Sequence, residues 1–326
     1  MKNKTEHSKI LREIHQENVS LDTILEFRLK NENIPWTELI YNKTGDSILH
    51  IAARLGQEDI VNYIVSSWSP KQVDIRNNDC KTPLHEAAQF SQGKIAKILL
   101  DNGAQVDAIK RADWTPLMLA CTKCGAASYE TVQCISSRCA SVQLVNKDGW
   151  TPLHVASRTG DIQIVKHLLQ INDKIINCRT NNGRTLLHIA ALHGNLEIVQ
   201  LLLEKYEINV NSKDKCGNTP FHDGVCSANI DVVKMLVAKN CDVLSVNNAE
   251  LQALHLTASE GLVEMTEYLV KELKLDPNVK TSNNVTALHC AARKKQRDVM
   301  HILINLGADE SICDSHGRLA ADYLLM

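Results

Sequence analysis

One tetrapeptide returns along this chain at an almost constant interval, and such an interval restricts the fold more than composition does. Thr-Pro-Leu-His stands complete at residues 82–85 and 151–154. Variants stand at residues 47–50, 115–118, 185–188, 219–222, 252–255 and 286–289, with a degraded copy at 318–321. Successive copies begin 32 to 36 residues apart. A period of this length predicts a row of structural repeats in which each unit contacts only its neighbours.

Each residue of the motif suits the start of a helix. The threonine hydroxyl can accept a hydrogen bond from the free backbone N–H groups of the first turn. Proline is tolerated at the first helical position, because its missing N–H would have had no partner there. The leucine is expected in the core, and the histidine can form hydrogen bonds through both ring nitrogens. Small residues such as Ala87 and Ala88 follow, and a second helix carries an apolar stripe, for example Ile164, Val165 and Leu168.

A motif of this kind at a period near 33 resembles the ankyrin repeat, a β-turn followed by two antiparallel helices. The resemblance implies an all-α fold: an ankyrin-repeat solenoid of stacked helix-turn-helix units with β-turn hairpin tips. We expect a degenerate repeat as an N-terminal helical cap over residues 1–41, with amphipathic stretches at 10–16 and 21–29. Eight repeats should occupy residues 42–313. Residues 314–326 form a partial ninth repeat or C-terminal cap, which either folds over the preceding repeat or continues into further chain.

Composition and charge exclude several classes of function. The net charge of −2 gives no reason to expect direct nucleic-acid binding. Aromatic residues make up only 4% of the chain, which disfavours a small-molecule or cofactor cavity. No apolar run reaches the length of a membrane span, and the N-terminal residues lack the apolar segment of a secretion signal. We therefore expect a monomer without cofactors, located in the cytoplasm, with the nucleus as a second compartment.

The histidines and cysteines raise the question of a metal site. Seven of the 13 histidines occupy the motif position, and the repeat explains them as structural groups. Among the 11 cysteines, four lie close in sequence: Cys121, Cys124, Cys134 and Cys139. The Cys-x-x-Cys pair could begin a zinc site. However, Cys121 falls on a core position of the first helix, Cys134 lies in the second helix, and Cys139 takes a turn position often held by glycine. We expect free thiols and no metal.

The chain shows no signature of an active site. It has no phosphate-binding loop and no paired acidic motif at metal-ligand spacing. A cysteine nucleophile such as Cys124 near His154 is the remaining enzymatic alternative. A non-enzymatic protein-interaction module is the prediction.

The turn tips are the expected binding residues, because stacking of the repeats does not require their side chains. Two neighbouring tips read Lys-Arg-Ala-Asp-Trp at residues 110–114 and Asn-Lys-Asp-Gly-Trp at 146–150. Tryptophan and arginine dominate the energetics of protein interfaces. We predict a partner-binding surface of Lys110, Arg111, Asp113, Trp114, Lys147, Asp148 and Trp150. The alternative is that both tryptophans only pack on the adjacent hairpin.

Two stretches also resemble a branch of the ankyrin-repeat family whose members are non-enzymatic partners of alanyl-tRNA synthetase and help to prevent serine mischarging. They are residues 106–122, and residues 146–150 followed by Ala-Ser-Arg-x-Gly-Asp at 156–161. The resemblance implies Lys147, and less directly Lys110, as acceptors of misactivated serine. In that branch, the acceptor lysine of the earlier tip corresponds to Arg111 of this chain, and arginine supplies no unprotonated amine at neutral pH. Synthetase binding is thus better supported than serine capture, and an adaptor with an unrelated protein partner is the alternative.

Overall fold

The computed structural model of the protein describes residues 21–30, 40–41, 43–67, 73–206 and 208–325. Within these residues the regular structure consists of 17 α-helices and three short 3-10 helices, and the extended backbone forms only isolated bridges, Ile40 with Ser47 and Cys313 with Leu319. The predicted all-α repeat fold is confirmed. The chain divides into two compact units that meet in sequence at Ile176 and Asn177.

Unit 1 pairs each motif helix with a second, outer helix. The inner helices α2, α4, α6 and α8 pack on one another in chain order, as do the outer helices α3, α5, α7 and α9, and α1 packs on α3. The bounds are α1 Leu21–Lys30, α2 Ile48–Leu55, α3 Glu58–Ser66, α4 Pro83–Gln89, α5 Gly93–Asp101, α6 Pro116–Ala120, α7 Ala126–Ser136, α8 Pro152–Thr159 and α9 Ile162–Ile171. The stretch at residues 10–16 lies outside the described residues, whereas residues 21–29 fall within α1.

Unit 2 repeats the same arrangement. Its inner helices α10, α12, α14 and α16 pack in order, and a final 3-10 helix, Ala320–Leu324, packs on α16. The ring of Tyr323 in this segment lies 6.2 Å from the ring of His289. The bounds are α10 Leu186–Leu192, α11 Leu196–Lys205, α12 Pro220–Cys226, α13 Ile230–Ala238, α14 Ala253–Glu260, α15 Val263–Lys271, α16 Ala287–Arg293 and α17 Arg297–Asn305. The residue limits given above for the two caps remain predictions.

The inner helices begin where the motif predicts. Thr115 and Thr151 accept hydrogen bonds from the backbone N–H three residues later, at 3.2 and 3.3 Å. Proline occupies the first position of α4, α6, α8 and α12. The motif leucines, such as Leu84 and Leu153, are fully buried. Local capping chemistry and core burial therefore select the same residues.

The motif histidine links its own cap to the next repeat. The backbone N–H of Thr82 donates to Nδ1 of His85 at 3.1 Å, and Nε2 of His85 lies 3.1 Å from the carbonyl oxygen of Trp114. Because Nδ1 accepts, the proton sits on Nε2, which donates across the repeat boundary. The same two bonds are formed by His50, His188, His222, His255 and His289. This geometry agrees with the structural role predicted for these residues.

The third repeat, whose motif stands at residues 115–118, departs from this pattern. Its motif position holds Met118, which is buried and whose thioether offers no donor for the carbonyl oxygen of Trp150. Its inner helix α6 has only 5 residues, and α7 starts after Gly125, whose φ of 103° requires glycine. The repeat that carries the first predicted binding tip thus lacks the histidine link to its successor.

The stability of the fold should fall as the pH drops below about 6.5, the ordinary pKa of histidine. Burial lowers the pKa of His85 to about 3 and of His188 to about 4, and it also lowers the pKa of His50, His222 and His255. The unfolded chain therefore binds more protons than the folded chain below that pH, at a cost of up to about 1.4 kcal/mol per pH unit for each histidine. Thermal unfolding followed by circular dichroism from about pH 7.5 to about pH 4.5 measures this loss.

Two carboxyl groups oppose this trend. Burial raises the pKa of Asp223 to about 7 and also raises the pKa of Asp74, so both carboxyls gain protons in the folded state as the pH falls. These two groups act against the five motif histidines, and the net effect should be destabilisation. A melting temperature that stays constant or rises on acidification would contradict the histidine account.

Candidate protein-binding surface

We call residues 110–114 the third tip and residues 146–150 the fourth tip; the fourth tip is a turn held by hydrogen bonds to the side chain of Asn146. Asn146 Oδ1 accepts hydrogen bonds from the backbone N–H groups of Asp148 and Trp150, both at 2.9 Å. Gly149 adopts a φ of 76° that closes the turn. The backbone N–H of Lys147 donates to the carbonyl oxygen of Ala112 at 3.0 Å, which ties this tip to the third one. Backbone groups hold the two tips together, and the side chains of Lys147 and Asp148 remain exposed.

The third tip is closed differently and is strained. Lys110 stands where the fourth tip has Asn146, and its ammonium group cannot accept the backbone hydrogen bonds. Ala112 and Asp113 both adopt positive φ values, 62° and 60°; the position of Asp113 is left-handed in other tips too, at Cys80 and Glu250, whereas the left-handed Ala112 is particular to this tip. The left-handed conformation costs a residue with a Cβ about 1 kcal/mol, and such strain is frequent at functional sites. The turn next to Trp114 is therefore held in an unfavourable conformation by its surroundings.

Both predicted tryptophans are half-buried and each contacts a cation. The Nζ atom of Lys110 lies 5.9 Å from the ring centroid of Trp114. The guanidinium carbon of Arg158 lies 6.0 Å from the ring centroid of Trp150, and the ring of His154 lies 6.2 Å from it. These distances fall within the range of cation–π attraction. The contacts orient the rings while part of each ring stays accessible, so the rings both pack in the fold and remain available to a partner.

The charges at the two tips are mixed. Arg111 Nη1 lies 3.4 Å from Asp79 Oδ1, and the two side chains are 69% and 61% exposed. An ion pair this exposed contributes little to stability. Asp113 is half-buried and Asp148 is exposed. Alternating signs around two tryptophans resemble the centre and polar rim of a protein interface.

Lys110 has an unusual environment for a tip lysine. Burial lowers its pKa, and the neighbouring ammonium group of Lys81 lowers it further. A lowered pKa increases the fraction of unprotonated amine at neutral pH. Of the two lysines named above as acceptors, Lys110 therefore has the pKa that favours the unprotonated, nucleophilic amine, and Lys147 is exposed.

Two further residues of the inner helices and their ends, Phe90 and Glu86, lie among the cations of this surface and were not predicted from the sequence. Phe90 at the end of α4 is 39% exposed, and its ring centroid lies 4.7 Å from Lys123 Nζ and 5.8 Å from the guanidinium carbon of Arg54. Glu86, only 1% exposed, pairs with Arg54 at 2.9 Å and with Lys81 at 3.0 Å. The available signal was a bulky aromatic residue directly after α4, at a position where the later repeats have polar residues.

The four clustered cysteines occupy different environments. Cys121 is buried in the core, and Cys124 is exposed and donates to the carbonyl oxygen of Thr159 at 3.2 Å. Burial raises the pKa of the Cys121, Cys124 and Cys134 thiols, which disfavours the thiolate that a nucleophile requires. In the described part of the chain, no three His, Cys, Asp or Glu side chains are grouped as metal ligands. Among the same residues, no helix combines the length and apolar character of a membrane span.

Comparison with known proteins identifies the family. The family model described as "Ankyrin repeats (3 copies)" matches residues 20–110, 49–136, 105–178, 163–247 and 221–314. These matches cover most of the chain, which therefore belongs to the ankyrin-repeat family.

Several curated proteins share part of this chain. NF-kappa-B inhibitor alpha from Mus musculus is 33% identical over 142 residues, which are 42% of this chain and 45% of that protein. B-cell lymphoma 3 protein homolog from Mus musculus is 30% identical over 132 residues, 40% of this chain and 30% of its own length. Alpha-latrotoxin-Lg1a from Latrodectus geometricus is 30% identical over 141 residues, 42% and 10% of the two chains. The matched segment spans less than half of each of these relatives.

Replacement of Ala112 by glycine should stabilise the protein. Glycine adopts positive φ without the steric penalty of a Cβ, so Ala112→Gly should raise the free energy of unfolding by about 1 kcal/mol. Urea denaturation followed by circular dichroism measures the change. Asp148→Gly is the matched control, because Asp148 has the corresponding place in the fourth tip but not a positive φ. Glycine there only increases the conformational entropy of the unfolded chain and should not stabilise the protein. Equal effects of the two substitutions would show that the third tip is not strained.

Proposed function

We propose that this protein is a non-catalytic scaffold whose protein partner binds the third and fourth tips, residues 110–114 and 146–150. The observation that carries the proposal is the pair of half-exposed tryptophans, each held against a cation on adjacent tips joined by a backbone hydrogen bond. Tryptophans oriented in this way lose little conformational freedom on binding, which favours affinity. The strained turn at Ala112 and Asp113 supports the same location.

A binding role accounts for these residues better than catalysis does. The cysteine considered as a nucleophile, Cys124, has a pKa raised by burial and by the nearby carboxylate of Asp161, the opposite of what activation requires. The family supports the same choice, since one relative of this chain is named as an inhibitor of NF-kappa-B.

A narrower version of the proposal concerns the identity of the partner. The third and fourth tips resemble the corresponding segments of ankyrin repeat domain-containing protein 16, and on that resemblance the partner is alanyl-tRNA synthetase. The curated relatives described above carry no such name. The wider proposal, a scaffold with a protein partner, does not depend on this identity.

The narrowest version adds capture of misactivated serine by lysine. An unprotonated ε-amine would attack the activated carbonyl carbon, form an amide and release the activating group. The lowered pKa of Lys110 supports this residue, and the Asn-Lys-Asp-Gly-Trp string supports Lys147. Incubation with the synthetase, ATP and serine, followed by peptide mass spectrometry, should find seryl-lysine at one of these residues. Unmodified peptides covering both lysines, under conditions where the synthetase binds, would rule this version out.

Removal of the fourth-tip side chains should abolish capture of the partner. Affinity capture from lysate with the wild type and with a Trp150→Ala, Lys147→Ala double variant, followed by mass spectrometry, compares the bound proteins. Loss of two central interface residues typically costs more than about 2 kcal/mol, a reduction of at least thirtyfold in affinity. Recovery of alanyl-tRNA synthetase by the wild type alone would support the narrower identity.

Matched controls separate binding from folding. Lys215 occupies the same position of its tip as Lys147, and Leu251 the same position as Trp150, so Lys215→Ala with Leu251→Ala should leave capture unchanged. Circular dichroism checks that every variant is folded. Equal capture by the wild type and the fourth-tip variant would refute the proposed surface.

The remaining proposals concern the state and location of the protein. We propose a monomer in the cytoplasm, with the nucleus as a second compartment. Light scattering coupled to size-exclusion chromatography tests the first statement, and microscopy of the tagged protein tests the second. A dimer mass, or a signal confined to a membrane-bounded organelle other than the nucleus, would contradict them.

A further inference from the structure

The inner helices of unit 1 expose charges of one sign. Helices α2, α4, α6 and α8 contain a single carboxylate, that of Glu86, which is buried and neutralised by Arg54 and Lys81. The exposed charged side chains at the ends of these helices are Lys123, three residues after the end of α6, and Arg158 in α8. Exposed cations of this kind attract ligands of the opposite charge and accelerate their association.

Aromatic rings accompany these cations. The Nζ atom of Lys123 lies 4.7 Å from the ring centroid of Phe90, and that of Lys110 lies 5.9 Å from the ring centroid of Trp114. The guanidinium carbon of Arg158 lies 6.0 Å from the ring centroid of Trp150. Each pair combines a flat apolar surface with a hydrogen-bond donor of positive charge. This combination fits a segment that presents apolar side chains and carboxylates together.

The three pairs belong to consecutive repeats and form one surface. The contact of Phe90 with Lys123 joins the second repeat to the third, and the backbone bond from Lys147 to Ala112 joins the third tip to the fourth. In the fourth repeat, the contact of Trp150 with Arg158 joins the tip to the end of the inner helix. We call this surface the basic-aromatic face; it comprises Phe90, Lys110, Trp114, Lys123, Trp150 and Arg158.

We infer that the basic-aromatic face binds an acidic, extended peptide segment of the partner, an inference that rests on the function proposed above. Packed helices lie roughly 8–10 Å apart. A chain extended in the polyproline II conformation advances roughly 3.1 Å per residue with three residues per turn, so about three peptide residues span one repeat and return to the same side of the peptide. Carboxylates at intervals of about three residues would meet Lys123 and Arg158, and apolar side chains between them would meet Trp114 and Trp150.

A peptide suits this surface better than single-stranded nucleic acid, which also combines negative charge with stacking groups. The carboxylates of Asp113 and Asp148 lie in the same tips as the two tryptophans. They would repel a continuous phosphate backbone, whereas a peptide can place an uncharged or basic residue opposite them.

The test uses the full chain and a fluorescein-labelled peptide of repeated Glu-Leu-Ser triplets, with binding measured by fluorescence anisotropy. The comparison peptide has the same composition with all glutamates contiguous. We expect tighter binding of the triplet peptide, and a loss of about two- to fivefold in affinity for Lys123→Gln and for Arg158→Gln. Lys94→Gln and Lys166→Gln, which remove exposed lysines on the outer helices α5 and α9, should bind as the wild type does.

Three results would overturn the inference. They are equal affinity for the two peptides, no effect of Lys123→Gln and Arg158→Gln, and tighter binding of a labelled oligouridylate than of the triplet peptide. The capture experiment with the fourth-tip variant is independent of these peptides. If the triplet peptide fails while tip-dependent capture of a partner persists, the acidic-segment inference is wrong and the proposed scaffold function stands.

Discussion

The hydrogen bond that the motif histidine forms with a carbonyl oxygen of the following repeat couples helix capping to stacking in six repeats. Its geometry requires a neutral ring, because Nδ1 must accept from the cap N–H while Nε2 donates to a carbonyl such as that of Trp114. Burial enforces this protonation state by lowering the pKa of the ring, as at His85 and His188. Cap formation within a repeat and attachment to the next repeat are thus performed by one side chain.

The proposed binding surface lies where this repeating rule is relaxed. In the third repeat Met118 replaces the histidine, Lys110 replaces the acceptor that closes the fourth tip, and Ala112 and Asp113 take up the strain. The left-handed conformation of Ala112 is the departure that carries a steric cost. Proteins commonly violate local rules at functional sites, and the coincidence of several violations beside Trp114 is the physical reason to place the function there.

Glu86 and Asp223 both directly follow a motif histidine and both are buried, but their neighbouring charges differ. Glu86 is held between Arg54 and Lys81, and its charge is compensated in place. Asp223 lies 3.1 Å from Arg184, which also contacts Asp214 at 3.5 Å, and one carboxylate then competes with the other for a single cation. Burial raises the pKa of Asp223 to about 7, and the nearby charge of Asp214 adds to this shift. Identical positions in a repeat therefore do not share one electrostatic role.

The sequence alone determined the repeat, the helix starts and the structural role of the motif histidines. Capping residues, proline at the first turn and buried leucine act over a few neighbouring residues, so a motif such as residues 82–85 carries its own structure. The sequence also indicated Trp114 and Trp150 as candidate binding residues, because both lie in the turn tips. Only the tertiary structure decided which cation meets which ring, that Ala112 and Asp113 are strained, and that Phe90 lies beside Lys123. Phe90 and Lys123 lie about one repeat apart in sequence, and their distance depends on how neighbouring repeats pack. Lys110 with Trp114 and Trp150 with Arg158 are near in sequence, but their contacts depend on turn and side-chain conformations that the motif does not specify.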